Sequence, residues 1–149
     1  MNHLKIVSHT TWHNPATAAE LSLAYQHNLR EELTEPVSHG YMPRPASSLE
    51  RRFSKSTYTA SLGLRHTIGW HELRCGLQGE HQHNRRGGWG FIIPDFETLS
   101  LGGFVTDRYT LTANLVLNAG VRYDYAQTHI HSYRDWFLTH SGSADLPSW

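Results

Sequence analysis

Thr57-Tyr58-Thr59-Ala60-Ser61-Leu62-Gly63-Leu64-Arg65-His66-Thr67-Ile68 decides the fold. Its even positions (Tyr58, Ala60, Leu62, Leu64, His66, Ile68) are apolar apart from His66. Its odd positions (Thr57, Thr59, Ser61, Gly63, Arg65, Thr67) are polar or glycine. A helix would spread such a pattern around all its sides, whereas a strand sends alternate side chains to opposite faces. The stretch reads as a strand with one apolar face and one wet face.

The same period returns on both sides of it. Leu115, Leu117, Ala119, Val121, Tyr123 and Tyr125 share one face, against Asn118, Gly120, Arg122 and Asp124. Leu21, Leu23, Tyr25 and Leu29 oppose Glu20, Ser22, Gln26, Asn28 and Arg30; Leu73, Cys75 and Leu77 oppose Arg74, Gly76, Gln78, Glu80 and Gln82. A weaker run sets Leu99, Leu101 and Val105 against Ser100, Gly102 and Thr106, with Phe104 and Asp107 breaking the rule. The weakest has Leu4, Ile6 and Trp12 alternating with Lys5 and His13. The expected fold is all-β: an antiparallel up-and-down meander of about six long strands without substantial helix.

Connections alternate between tight and long. Asn14 to Thr17, Gly69 to His71 and Thr110 to Asn114 are tight, while Glu31 to Ser56 and Asn84 to Glu97 are long and rich in Pro and Gly. Short turns at one rim and long loops at the other suit a transmembrane β-barrel. A half-wet soluble sheet also alternates, so strand length discriminates better. Soluble strands average ~5 to 6 residues, but these runs hold about 10, as a tilted membrane strand requires. From Tyr58 to Trp70 the chain covers ~40 Å at ~3.3 Å per residue, or ~28 Å when tilted ~45°. That matches an apolar band ~25 Å tall with an aromatic girdle at each edge. Trp12, Trp70 and Tyr109 fall to the short-turn girdle, and Tyr25, Tyr58, Tyr123 and Tyr125 to the other. The apolar residues Leu62, Leu64, Leu117, Ala119 and Val121 are expected to stay exposed, with both edge strands unpaired.

Composition agrees with this and excludes other classes. The 149 residues carry no formal net charge with histidine neutral, so no nucleic-acid partner is implied. No stretch has the ~20 consecutive apolar residues of a membrane helix, and the N-terminus lacks a signal-like apolar core. The single cysteine, Cys75, forms no internal disulfide and sits between Leu73 and Leu77 on the apolar face, a poor setting for a nucleophile. Ser22, Ser61 and Ser100 lie in no nucleophile-elbow context. Neither catalysis nor a cofactor is expected. His81-x-His83 and His129-x-His131 each place two imidazoles on one strand face, but neither pair has a nearby cysteine or carboxylate on the same face, so no metal site is assigned.

The candidate ligand-contact residues lie in the long segments. Gly87-Gly88-Trp89-Gly90-Phe91 combines permissive backbone with two ring faces. Arg85 and Arg86 precede it as forks suited to an anion. Because both long segments belong to one rim, Arg44 of the first is the expected cationic neighbour. The assigned set is Arg44, Arg85, Arg86, Trp89 and Phe91.

Specific stretches carry a family resemblance. Asn28-Leu29-Arg30-Glu31-Glu32, Glu35-Pro36-Val37-Ser38-His39-Gly40-Tyr41-Met42-Pro43 and Asn84-Arg85-Arg86-Gly87-Gly88-Trp89-Gly90-Phe91-Ile92-Ile93-Pro94-Asp95-Phe96 are similar to strand and outer-loop segments of TonB-dependent receptors. Asn118-Ala119-Gly120-Val121-Arg122-Tyr123-Asp124 resembles their late-barrel strand. The resemblance spans roughly residues 18 to 137. It implies a large barrel of the 22-stranded, plugged kind, located in the cell outer membrane. Its partners would be lipid, the remaining strands, a plug domain, the TonB system, and an iron-siderophore or other nutrient ligand. Six strands cannot close such a barrel, so residues 1 to 149 are expected to be a fragment without a plug and not competent for transport alone. Two other readings fit the alternation: a soluble His-rich β-sheet that binds metal, and part of a porin-like diffusion barrel.

Overall fold

The strand read from Tyr58 begins nine positions earlier, at Leu49. In a computed structural model describing residues 1–38, 44–90 and 93–132, the strands are β1 (Asn2–His13), β2 (Thr17–Leu33), β3 (Leu49–Ile68), β4 (His71–Gly87), β5 (Phe96–Thr112) and β6 (Leu115–Ile130). They form one six-stranded sheet in the order β1-β2-β3-β4-β5-β6, every neighbour pair antiparallel. The meander is as expected, and no described residue is helical. β1 and β6 each have one neighbour among the described strands, so the sheet is open at both edges.

Register aligns the apolar positions of all strands on one face. One row runs Thr10, Leu21, Leu62, Leu77, Gly103, Tyr123; the next runs Trp12, Ala19, Leu64, Cys75, Val105, Val121. A slip of one residue would move this entire set to the polar face. No second layer covers it: Leu62 is 49% exposed, Leu117 51% and Val121 71%, with Leu64 and Ala119 also exposed. Among the described residues no large side chain is fully buried. A single sheet with a bare apolar face needs a nonaqueous neighbour to be stable.

The aromatic residues follow the tilt of the strands. Tyr25 and Tyr58 are register partners with ring centroids 5.0 Å apart. Tyr125 lies in the row of Ala60 and Tyr123 in the row of Leu62, successively nearer the short turns. A level belt across strands tilted ~45° and spaced ~4.8 Å apart drifts by roughly 1.5 residues per strand, and from β3 to β6 the tyrosines are displaced in that direction, Tyr123 approaching the full drift and Tyr125 falling short of it. Trp12 on β1, Trp70 in the β3–β4 turn and Tyr109 beside His71 stand at the opposite edge. His71 and Tyr109 stack there, with centroids 4.4 Å apart.

Both exceptions in β5 have local causes. Phe104 opposes Gly76 on the polar face, and its ring occupies the space a Gly76 Cβ would need, 2.4 Å from the nearest ring atom. Asp107 lies on the apolar face near the short-turn rim, where Nδ1 of His71 donates to its Oδ2 at 2.7 Å.

The long segments are shorter than the sequence indicates. Glu31–Leu33, Leu49–Ser56 and Asn84–Gly87 belong to strands, leaving only 34–48 and 88–95 as connections. The strands continue past the aromatic belt into segments rich in Arg, Lys, Glu and Ser, where period-two hydrophobicity vanishes. Cross-strand ion pairs sustain them instead, Arg52 with Glu31 at 2.6 Å and Arg51 with Glu32 at 2.9 Å. The last tight turn is also narrower, residues 113–114.

Candidate functional site

Antiparallel connectivity puts both long loops at one rim and the tight turns at 14–16, 69–70 and 113–114 at the other. The strands reaching the loop rim carry dense charge. Arg30, Glu32, Arg51 and Arg86 fall on the polar face, while Glu31, Arg52 and Arg85 fall on the opposite face. On the polar face Glu32 is shared by Arg30 at 2.6 Å and Arg51 at 2.9 Å, and Arg51 also reaches Glu50 at 2.7 Å. The hydrogen bond from Arg51, reinforced by the charges of Arg30 and Arg51 against a desolvation cost, holds the Glu32 carboxyl below its ordinary value.

The two loops are fastened to each other around Trp89. Its indole Nε1 donates to the Ser47 carbonyl at 3.0 Å, and its backbone N–H donates to Leu49 at 3.4 Å. Gly90 N–H donates to the Glu50 carbonyl at 2.7 Å. Gly88 makes this approach possible: its φ is +89°, and a Cβ there would stand 2.3 Å from the Glu50 carbonyl oxygen. Only glycine tolerates both conditions. The first loop is closed at its base by Thr34 N–H to Ser48 O at 2.9 Å and by the Thr34 hydroxyl on the Glu50 carboxylate. The second is closed by Arg86 N–H to Asp95 Oδ1 at 2.6 Å, and by Asn84, 5% exposed, which donates through Nδ2 to Pro94 O at 3.4 Å.

The assigned residues are therefore only partly gathered. Trp89 is half-buried where the loops meet, and Arg86 stands on the polar face just before it. Arg85, its chain neighbour, points to the other face, where its Nε–H donates to His83 Nε2 at 2.9 Å. Both arginines belong to β4 rather than to the loop. Arg44 is exposed in the first loop, but the contacts joining the loops run through Ser47, Leu49 and Glu50. Phe91 lies outside the described residues. Sequence reasoning missed Phe53, Lys55 and Phe96, which the register adds to the polar face near Arg86. They escaped notice because Phe53 and Lys55 lie in what reads as loop, and Phe96 lies at its border.

The sheet has one bare apolar face, two aromatic edges, strands of 16 to 20 residues from β2 to β6, and long loops confined to one rim. A family model described as TonB dependent receptor-like, beta-barrel matches residues 7–149. The chain belongs to the TonB-dependent receptor β-barrel family. No curated protein and no solved structure matches it. Membership gives the two faces of the sheet their meaning. In a receptor barrel the apolar face meets lipid and the polar face lines the lumen, so Arg30, Arg51, Arg86, Lys55, Phe53 and Phe96 belong to the lumen side and Arg85 to the outer side. Receptors of this family are outer-membrane proteins, and the loop rim corresponds to their extracellular end.

Proposed function

We propose that this chain supplies wall strands and two outer loops to an outer-membrane receptor that takes up an iron-siderophore complex or another scarce nutrient with energy from the TonB system. The observation that carries this reading is the clasp of the two loops around Trp89, directly above a lumen wall bearing Arg86, Arg30 and Lys55. The clasp fixes Trp89 against Ser47, Leu49 and Glu50 before any ligand arrives, which favours binding. The ligand is met there, and the lumen cations attract an anionic group on it.

The chain acts as a receptor wall and not as an enzyme. Cys75 sits between Leu64 and Val105 on the lipid side, where nothing stabilises a thiolate. It depends on further strands and a plug to transport anything.

The test uses the receptor that carries these strands. Trp89→Ala and Arg86→Ala each lower ligand uptake by at least about tenfold, the scale of a buried contact residue, with unchanged amounts of inserted receptor. Arg85→Ala, on the outer side, leaves uptake as it was. Equal uptake in all three variants would remove the loop clasp from the binding site.

A further inference from the structure

The register changes how the paired histidines read. No carboxylate of its own strand shares a face with either His-x-His, yet Glu97 of β5 is the register partner of both His83 on β4 and His129 on β6. All three side chains lie on the outer side, one step beyond the row of Tyr58, His81 and Leu99. His83 Nδ1 and Glu97 Oε1 are already 3.7 Å apart. Two ligands of a tetrahedral ion bound at ~2.1 Å are separated by roughly 3.4 Å, so these atoms are near a shared coordination sphere. Next to them His129 and His131 stand edge to face with ring centroids 4.8 Å apart. The His131 N–H donates to Asp95 O at 2.9 Å, which holds it beside the same row.

We propose that His83, Glu97, His129 and His131 bind one borderline divalent transition-metal ion of the Zn²⁺ class on the outer wall just above the aromatic belt. Three imidazoles and one carboxylate suit such an ion, whereas Mg²⁺ and Ca²⁺ need more oxygen donors than one Glu provides. Among the described residues no three donors converge on one point, so side chains must rotate when the ion arrives. His129 and His131 are exposed and the Glu97 side chain is 44% exposed, so these can rotate at little cost towards the half-buried His83.

Arg85 is the competitor. Its Nε–H donates to His83 Nε2 at 2.9 Å, which requires that nitrogen to be unprotonated and puts the ring proton on Nδ1, facing Glu97. Coordination through Nδ1 moves that proton to Nε2, which then no longer accepts from Arg85. Coordination through Nε2 displaces Arg85 directly. Either way the guanidinium leaves when the ion enters. The ion would tie together β4, β5 and β6 at the base of the second loop. This inference rests on strand register and is independent of what the receptor transports.

The probe is Zn²⁺ alone, titrated calorimetrically into the full chain in detergent micelles, with circular dichroism confirming equal strand content in every variant. One saturable Zn²⁺ per chain is expected. Glu97→Gln and His129→Ala each weaken it by at least about tenfold. Arg85→Ala strengthens it by about 2- to 10-fold, since it removes one competing hydrogen bond. His3→Ala, on β1 and outside the cluster, changes nothing, which separates the site from diffuse binding by the chain's twelve histidines. Histidine ring NMR on the unmodified chain reads the same site without substitution: Zn²⁺ shifts His83, His129 and His131 before the histidines of β1. No saturable binding, Glu97→Gln and His129→Ala without effect, a weakening by Arg85→Ala, or earlier shifts in β1 would each overturn the proposal.

Discussion

Replacing Gly88 by Ala separates the loop clasp from the sheet beneath it. At φ +89° an L side chain is strained, at a cost of roughly 1–2 kcal/mol for a left-handed residue. The new Cβ would also lie 2.3 Å from Glu50 O, 2.7 Å from Glu50 C and 2.9 Å from Leu49 O. All three are backbone atoms, so no rotamer change relieves the clash. The chain must draw back and lose the Trp89–Leu49 and Gly90–Glu50 hydrogen bonds, each contributing about 1 kcal/mol. The total is on the order of 3 kcal/mol of local stability, equivalent to about a 100-fold change in local opening. Amide hydrogen exchange in detergent-folded protein measures it: the Gly90 amide exchanges faster by about that factor, while Thr59 to Leu64 keep their protection. Gly63→Ala is the control, because a Cβ at Gly63 has nothing within 4 Å and its φ is not positive. Equal exchange at Gly90 in wild type and Gly88→Ala would refute the account of how the loops are joined.

Two other perturbations probe the wall and its charges. Leu62→Arg puts a cation on the lipid face and costs roughly 2–4 kcal/mol at the bilayer midplane, whereas Ser61→Arg on the lumen face is tolerated. Folding titrations into lipid vesicles distinguish the two, and equal losses contradict the assignment of faces. Glu32 titrates below its ordinary 4.5 because Arg51 and Arg30 favour the carboxylate. With the folded value depressed, the stabilisation is present above pH 4.5 and fades as pH falls through the lowered value. Carbon-13 NMR of the Glu32 carboxyl checks the direction, and Arg51→Leu brings its midpoint back towards 4.5.

The strands were legible where the membrane imposes a pattern and illegible where it stops. Between Tyr58 and Ile68 one face must be apolar, and the period shows it. Between Leu49 and Ser56 neither face is consistently apolar, and the strand is held by Arg51, Arg52, Glu31 and Glu32, whose pairing only register reveals. That same extension placed Arg85 and Arg86 on opposite faces, which a loop reading hides. Trp89 and its glycines stood out because three glycines permit backbone shapes closed to other residues beside two ring faces, but the close approach to Glu50 was not legible there. Its partners Ser47, Leu49 and Glu50 carry no distinguishing chemistry in sequence, because they are met through backbone carbonyls. Glu97 stayed invisible as a neighbour of His83 and His129 for a similar reason: it lies 14 residues from one and 32 from the other, and only pairing across β4, β5 and β6 joins them.

The central claim is that this sheet is barrel wall, with lipid against the even-numbered face of β3. Spin labels placed one at a time from Thr59 to Arg65, in protein folded into lipid vesicles, test it most directly. Collision rates with dissolved oxygen, which concentrates in lipid, and with a water-soluble nickel chelate should alternate with period two. Oxygen should dominate at Ala60, Leu62 and Leu64, and the chelate at Thr59, Ser61, Gly63 and Arg65. Uniform access of the chelate to all seven positions, or an alternation of the opposite phase, would contradict the membrane-wall account.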